Sequence, residues 1–174
     1  MVYKITGENH WKALRFLIAI TIAVIVFYIL QYNKINANPY IQNGLIIYYL
    51  INILPVLYLH NEYYYNNKGT MIEIDSYGEK FNKIIYTNKE GTIETYALDD
   101  LSKVEIYMSP NMYRRSSYQL LPFESYHYAR IYTKSGKEII ITCLMARKVE
   151  VAVATIIGVP IERNKRLFAS IELR

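Results

Sequence analysis

The chain has 174 residues, 52% of them hydrophobic, and 20 basic against 15 acidic side chains give it a net charge of +5. The surplus is uneven: Lys4, Lys12, Arg15 and Lys34 face only Glu8 in residues 1–60, and residues 61–174 are almost balanced. That balance excludes the strong basic field of a nucleic-acid-binding domain, and a single cysteine excludes an internal disulfide framework.

Two uncharged apolar runs come first, Phe16 to Leu30 and Gly44 to Leu59. With their flanks, about 12–31 and 40–60, each reaches the ~20 residues that a helix needs to cross a bilayer. No small-x-small cleavage site follows the first run, where the next residues are Gln31, Tyr32, Asn33 and Lys34. It therefore reads as an uncleaved helix and not as a signal peptide. The connection carries only Lys34, fewer basic residues than either outer flank, which places it outside and both termini in the cytoplasm. The chain divides on this reading into a two-helix transmembrane hairpin over 1–60 and a domain over 61–174. Trp11, Tyr28, Tyr32, Tyr40 and Tyr58 fall near the expected interfaces, where amphipathic rings are favoured. Asn52 and Pro55 interrupt the second run. They read either as a packing contact to a partner helix with a kink, or as an amide bonded within the hairpin beside a tolerated proline. With no charge in either run, an ion path or proton relay has no carrier.

Asn61–Gly69 is polar and reads as the domain boundary. From Thr70 the period changes to alternation, with strands expected at 70–75, 80–87, 92–98, 103–108, 128–133 and 137–143. Asn88–Gly91 reads as a hairpin loop, Asp99–Asp100 as a short turn and Lys134–Gly136 as a second loop. Leu144–Ile157 suits a helix with Met145, Val149, Ala152, Val153 and Ile156 on one face, stopped by Gly158 and Pro160, although Glu150–Ala154 also alternates like a strand. The tail, 161–174, is basic and then apolar, and suits either a strand or a surface segment.

Meandering antiparallel strands closed by one helix suggest a small barrel or curled sheet. Tyr96–Tyr107 (YALDDLSKVEIY), with its acidic turn at Asp99, Asp100, Leu101 and Val104, and Ala129–Leu144 (ARIYTKSGKEIIITCL), with its Lys134–Lys137 turn, resemble the bacterial pleckstrin-homology-like (PH-like) domains. The resemblance covers about Thr70–Ile157. It implies a mainly-β PH-like domain with a C-terminal helix, set beside a pair of membrane helices, and no reaction.

Chemistry-bearing residues are sparse. His10, His60 and His127 lack metal-ligand spacing, so no metal or other cofactor is expected. Cys143 sits among Ile140, Ile141 and Leu144 as a buried thiol, not a nucleophile. An enzyme would need a pocket assembled from distant residues such as Asp99, Arg130 and His127. The segment Ser109–His127 is long for a loop and sets Arg114 and Arg115 among aromatic and aliphatic residues, as suits an anionic membrane surface or a protein partner. The competing reading makes Tyr118–Phe123 a core strand and leaves the arginines solvated. The resemblance implies that lipid-headgroup binding would use clustered basic residues around the first hairpin; only Lys80 and Lys83 lie there, beside Glu79, so specific recognition of one headgroup is not expected.

The expected function is that of a non-catalytic module at the inner face of a bacterial membrane, with the bilayer and a protein partner or a second copy as its partners, and with no nucleic acid or small-molecule substrate. Its expected contact surface is Arg114, Arg115, Tyr118, Phe123, Arg163, Lys165 and Arg166, with Asn52 and Pro55 for helix packing. Removing Arg163–Arg174 is then expected to weaken association without unfolding the domain. The alternative is an accessory or immunity protein acting through its helices on another membrane protein.

Overall fold

The computed structural model describes residues 1–36, 38–77, 80–115 and 121–173. Strand β1 (Val2–Tyr3) is followed by helices α1 (Gly7–Leu30), α2 (Tyr32–Asn36) and α3 (Pro39–Asn67). Thr6 caps α1 by accepting from the Asn9 N–H, and Asn38 caps α3 by accepting from the Tyr40 N–H, ahead of Pro39 at the first helical position. These caps satisfy amides that a helix start leaves orphaned. Both helices are long and apolar enough to cross a bilayer. At ~1.5 Å per residue, α1 runs roughly 36 Å and α3 roughly 43 Å.

Both helices are longer than the sequence indicates. The segment Asn61–Asn67, expected as a polar boundary, is the last two turns of α3. Pro55 is accommodated inside that helix. Asn52 is buried and donates through Nδ2 to the Tyr48 carbonyl of its own helix at 2.8 Å. Thr21 and Tyr49 hydroxyls meet at 3.3 Å across the hairpin.

The sheets follow: β2 (Met71–Tyr77), β3 (Lys80–Thr87), β4 (Ile93–Ala97), β5 (Leu101–Met108), the short helix α4 (Pro110–Tyr113), β6 (Tyr128–Thr133), β7 (Glu138–Thr142), helix α5 (Val149–Val153) and β8 (Ile161–Lys165). One sheet has the order β1-β2-β3-β4 and the other β7-β6-β5-β8. The expected strands are present to within two residues at each end. The expected closure into a barrel is absent among the described residues: the strands form two separate four-stranded sheets. Two pairings were not foreseen. Val2 and Tyr3 pair with Glu73 and Ile72, so the helical hairpin is inserted between the first two strands of a sheet. The tail strand β8 runs parallel to β5, with Val104 opposite Ile161 and Met108 opposite Lys165.

The turns match their chemistry. Asn88 Oδ1 accepts from the Glu90 and Thr92 amides, and Gly91 takes φ +82°. Asp100 Oδ2 accepts from the Ala97 amide, so the acidic pair is a turn, as read. Ile72, Ile74 and Ile84 from the first sheet meet Val104, Ile106, Ala129, Ile131, Ile139 and Ile141 from the second, and α5 contributes Val149, Ala152 and Val153. The five predicted helix-face residues, Met145 to Ile156, are all buried, but the helix itself is only Val149–Val153. The chain first turns at Thr142, whose carbonyl accepts from Met145 and Ala146 amides, and the helical run therefore starts late.

Gly158 adopts φ +102°, and a Cβ there would lie 3.3 Å from Leu98 Cδ2. Gly158→Ala is expected to destabilise by about 1–2 kcal/mol, read as a lowered thermal midpoint.

Candidate functional site

The described residues place the most unusual packing where the helical hairpin meets the β7-β6-β5-β8 sheet. Residues 52, 56, 59, 63 and 67 of α3 are buried and follow one helical stripe. Val56, Leu59 and Tyr63 join Leu17 of α1, Phe123, Tyr126, Tyr128, Leu144, Ala169 and Ile171 in a second apolar core. Tyr63 is fully buried, and its hydroxyl donates to the Ala169 carbonyl at 2.6 Å. Glu62 accepts from Ser170 Oγ at 2.7 Å and from the Glu172 amide at 2.8 Å. Asn67 Nδ2 donates to the Ile140 carbonyl at 2.8 Å. At the start of α1, Asn9 Nδ2 donates to the Leu144 and Met145 carbonyls. His10 Nδ1 and His60 Nε2 are 2.9 Å apart, and His60 Nδ1 lies 2.9 Å from the Tyr126 hydroxyl. Two histidines that sequence reading set at separate boundaries are thus one hydrogen-bonded chain across the hairpin.

The same face of that sheet, turned away from the first core, also carries a polar-aromatic cluster. Alternation along β5 and β6 turns Lys103, Glu105 and Tyr107 to this face beside Tyr132, Arg130 and Tyr128. Arg130 is 3% exposed; Nη1 donates to Glu138 at 2.9 Å and Nη2 donates to the Ile171 carbonyl. Tyr107 and Tyr128 stack at 4.8 Å, and Tyr128 donates to the Ser170 carbonyl. Glu105 accepts from Lys103, Tyr107 and Tyr132 at 2.6–2.7 Å. Burial alone would raise its carboxyl pKa, but these three donors outweigh it and hold the group at about 2. Burial, and then the same carboxylate, push the Tyr107 hydroxyl well above its ordinary range. A depressed carboxyl stabilises the fold fully above its unfolded value near 4.5, and that contribution fades as pH falls toward 2. Glu105→Gln is therefore expected to be less stable than the parent at neutral pH. The gap should close between about pH 4.5 and 2 in acid-unfolding curves.

Of the residues singled out in the sequence, the structure brings several together. Arg114 and Arg115 are exposed at the end of α4, and Lys165 lies 4.3 Å from the Tyr113 ring. Arg166 sits 4.9 Å from the Tyr107 ring and donates to the Leu173 carbonyl. Arg163 instead pairs with Glu150 at 3.4 Å. Phe123 is buried, 6.0 Å from Phe168. Tyr118 lies outside the described residues. The strand alternative for Tyr118–Phe123 meets a 3₁₀ turn over Pro122–Ser125. Cys143 is buried, and burial pushes its thiol up to about 12, the protonated and unreactive form. Asp99, Arg130 and His127 lie respectively in the turn after β4, on the face of β6 turned away from the first core and before β6. Among the described residues no hydrogen bond or ion pair joins them, and no three metal-ligating side chains converge.

The roles of Glu62, Tyr63 and Ser170 were missed. Their signal was present: the buried stripe continues through the polar segment at the same spacing as in the apolar run. Tyrosine density disguised it as a linker.

No curated protein and no solved structure shows significant similarity to the chain. A family model described as PH domain matches residues 2–153. That span begins at β1, crosses the inserted hairpin and ends at α5, so both sheets, up to the tail strand, and the closing helix lie within it. Two packed sheets, a short closing helix and a family match over most of the length agree: the chain belongs to the PH-domain family.

Proposed function

We propose that the chain is a non-catalytic, membrane-anchored interaction module, with the α1–α3 hairpin crossing a bacterial inner membrane and the PH domain standing at its cytoplasmic face. The observation that carries this reading is the junction: α3 leaves the apolar run without a break and locks into the domain through Tyr63, Glu62 and Asn67. A soluble protein gains nothing from a rigid helix pair whose far side exposes Ile22, Ile25, Ile29, Ile47, Ile51 and Leu54. In a bilayer that surface needs no cover. Trp11, Tyr58 and Leu167 are exposed around the hairpin base, where amphipathic and apolar side chains settle at an interface. Both ends of the hairpin nearest the domain carry the basic residues Lys4, Lys12, Arg15 and Lys68, and the far end carries Lys34 alone. That bias supports a cytoplasmic domain.

PH domains serve as protein- or lipid-interaction modules, and the surface proposed for a partner here is Arg114, Arg115, Lys165 and Arg166. Topology is tested by labelling Lys34→Cys and Ser135→Cys in intact cells with a membrane-impermeant thiol reagent, in a Cys143→Ser background. Labelling of Lys34→Cys alone is expected, with Ser135→Cys reacting only after permeabilisation. Extraction of the protein by alkali, or the reverse labelling pattern, would overturn the topology. Purification in mild detergent then tests the module, with a stoichiometric partner expected to be lost on Arg114→Glu plus Arg115→Glu.

The alternative, action through the helices, draws on an apolar crevice of about 290 Å³ between α1 and α3, lined by Val24, Ile25, Tyr28, Leu45 and Tyr49. Exchanging the crevice-forming outer halves of the helices for another apolar pair separates the two readings. Activity that survives belongs to the domain.

A further inference from the structure

A second cavity, of about 200 Å³, lies between the first turns of α1 and the β7–α5 link. Lys12 and Arg15 approach it from the helix, and Arg147 and Lys148 from the link. No carboxylate is among the described side chains lining it. Glu8, outside the wall, pairs with Lys12 and acts on Arg147, so it offsets one charge of the four. Arg15, Arg147 and Lys148 thus leave a surplus of basic charge around a concave space, at a place where two stretches distant in sequence were folded together. Arginine forks and lysine ammoniums converging in this way suit an oxyanion with several acceptors, above all a phosphate.

The floor of the cavity says how such a group arrives. Phe16, the first residue of the uncharged run, lines it and is 37% exposed. Within one turn the wall changes from cationic to the apolar surface of α1. On the reading that this hairpin spans a bilayer, on which the inference rests, that change falls at the headgroup layer. A soluble phosphate would meet a half-apolar opening, whereas a phospholipid satisfies both halves, with its phosphate among the cations and its chains along α1. None of the residues lining the cavity belongs to β2 or β3. We propose that this cavity binds the phosphate of an anionic phospholipid from the leaflet nearest the PH domain. The bound lipid would act as a further tie between helix and domain, beside the bonds made by Asn9, Glu62, Tyr63 and Asn67.

The test uses the full-length chain in nanodiscs of phosphatidylcholine, with and without phosphatidylglycerol. The readouts are lipids retained by native mass spectrometry and emission from Trp11, the only tryptophan. Retained phosphatidylglycerol and an emission shift specific to the mixed discs are expected. The variant Arg15→Gln, Arg147→Gln, Lys148→Gln should lose that preference roughly 100-fold, since each basic side chain near a membrane contributes about fivefold. Ala13→Phe, which fills the cavity and leaves every charge, should lose it as well. Lys89→Gln with Lys134→Gln, remote in the fold, should keep it. An unchanged preference in the cavity variants, or equal loss in the remote pair, would overturn the proposal in favour of diffuse surface attraction. An equal response to inorganic phosphate in phosphatidylcholine discs would overturn the lipid as source. Failure to enter discs at all would instead refute the transmembrane hairpin, a separate result.

Discussion

Tyr63→Ala is expected to destabilise the protein by about 3–5 kcal/mol, close to the largest effect of any single side chain here. Tyr63 is fully buried on the domain-proximal turn of α3, edge-on to both Tyr126 and Tyr128 at 5.5 and 5.9 Å. Removing it opens a cavity in the second core and strands the Ala169 carbonyl. Tyr63→Phe keeps the volume and loses only that bond, for about 1 kcal/mol. The pair of variants separates packing from hydrogen bonding. Both should be measured on the intact chain in one detergent, by denaturant midpoint and by proteolysis of the Asn66–Lys68 region. If the domain and hairpin are mechanically one unit, Tyr63→Ala should also expose that region to protease while the hairpin stays helical. A change in stability without local exposure would mean that α3 ends its coupling earlier, at Leu59.

The strands were legible because alternation is local: Val104, Ile106 and Met108 turn into the first core and Lys103, Glu105 and Tyr107 away from it, as a period of two requires. The hairpin was legible from its uncharged runs alone. What was not legible depends on contacts between distant segments. Nothing in Val2–Tyr3 announces that it completes a sheet with residues 72–73, seventy positions on. The tail reads as either a strand or a basic surface segment; it is a strand, but its parallel pairing with β5 is set only by the folded sheet. The helix expected over 144–157 was drawn too long because burial of one face does not distinguish a helix from turns packed in the same core. The basic cavity escaped for the same reason: Lys12, Arg15, Arg147 and Lys148 are unremarkable pairs until the fold joins them.

Deletion of residues 161–174 is expected to abolish cooperative unfolding of the domain, in place of the mild loss of association that a basic contact tail would give. The deletion removes β8 and unpairs one edge of β5 from Val104 to Met108. It also withdraws the Ala169 carbonyl from Tyr63, Ser170 Oγ and the Glu172 amide from Glu62, and the Ile171 carbonyl from Arg130. A buried carboxylate and a buried guanidinium each lose partners, and uncompensated buried charge costs several kcal/mol. Against a typical total of about 5–15 kcal/mol, the sum is enough to melt the domain. Arg163→Gln supplies the contrast. Its pair with Glu150 is long and partly exposed, so the change should cost no more than about 1 kcal/mol. Hydrogen exchange on the full chain reads both: slow amides in β5 and β6 should become fast in the deletion and stay slow in Arg163→Gln. Retention of slow exchange in the deletion would mean that the sheet is complete without its parallel strand, and the tail would again be free to serve a partner. The expected result assigns Lys165 and Arg166 a double duty, since the residues offered to a partner are held in place by the strand that finishes the fold.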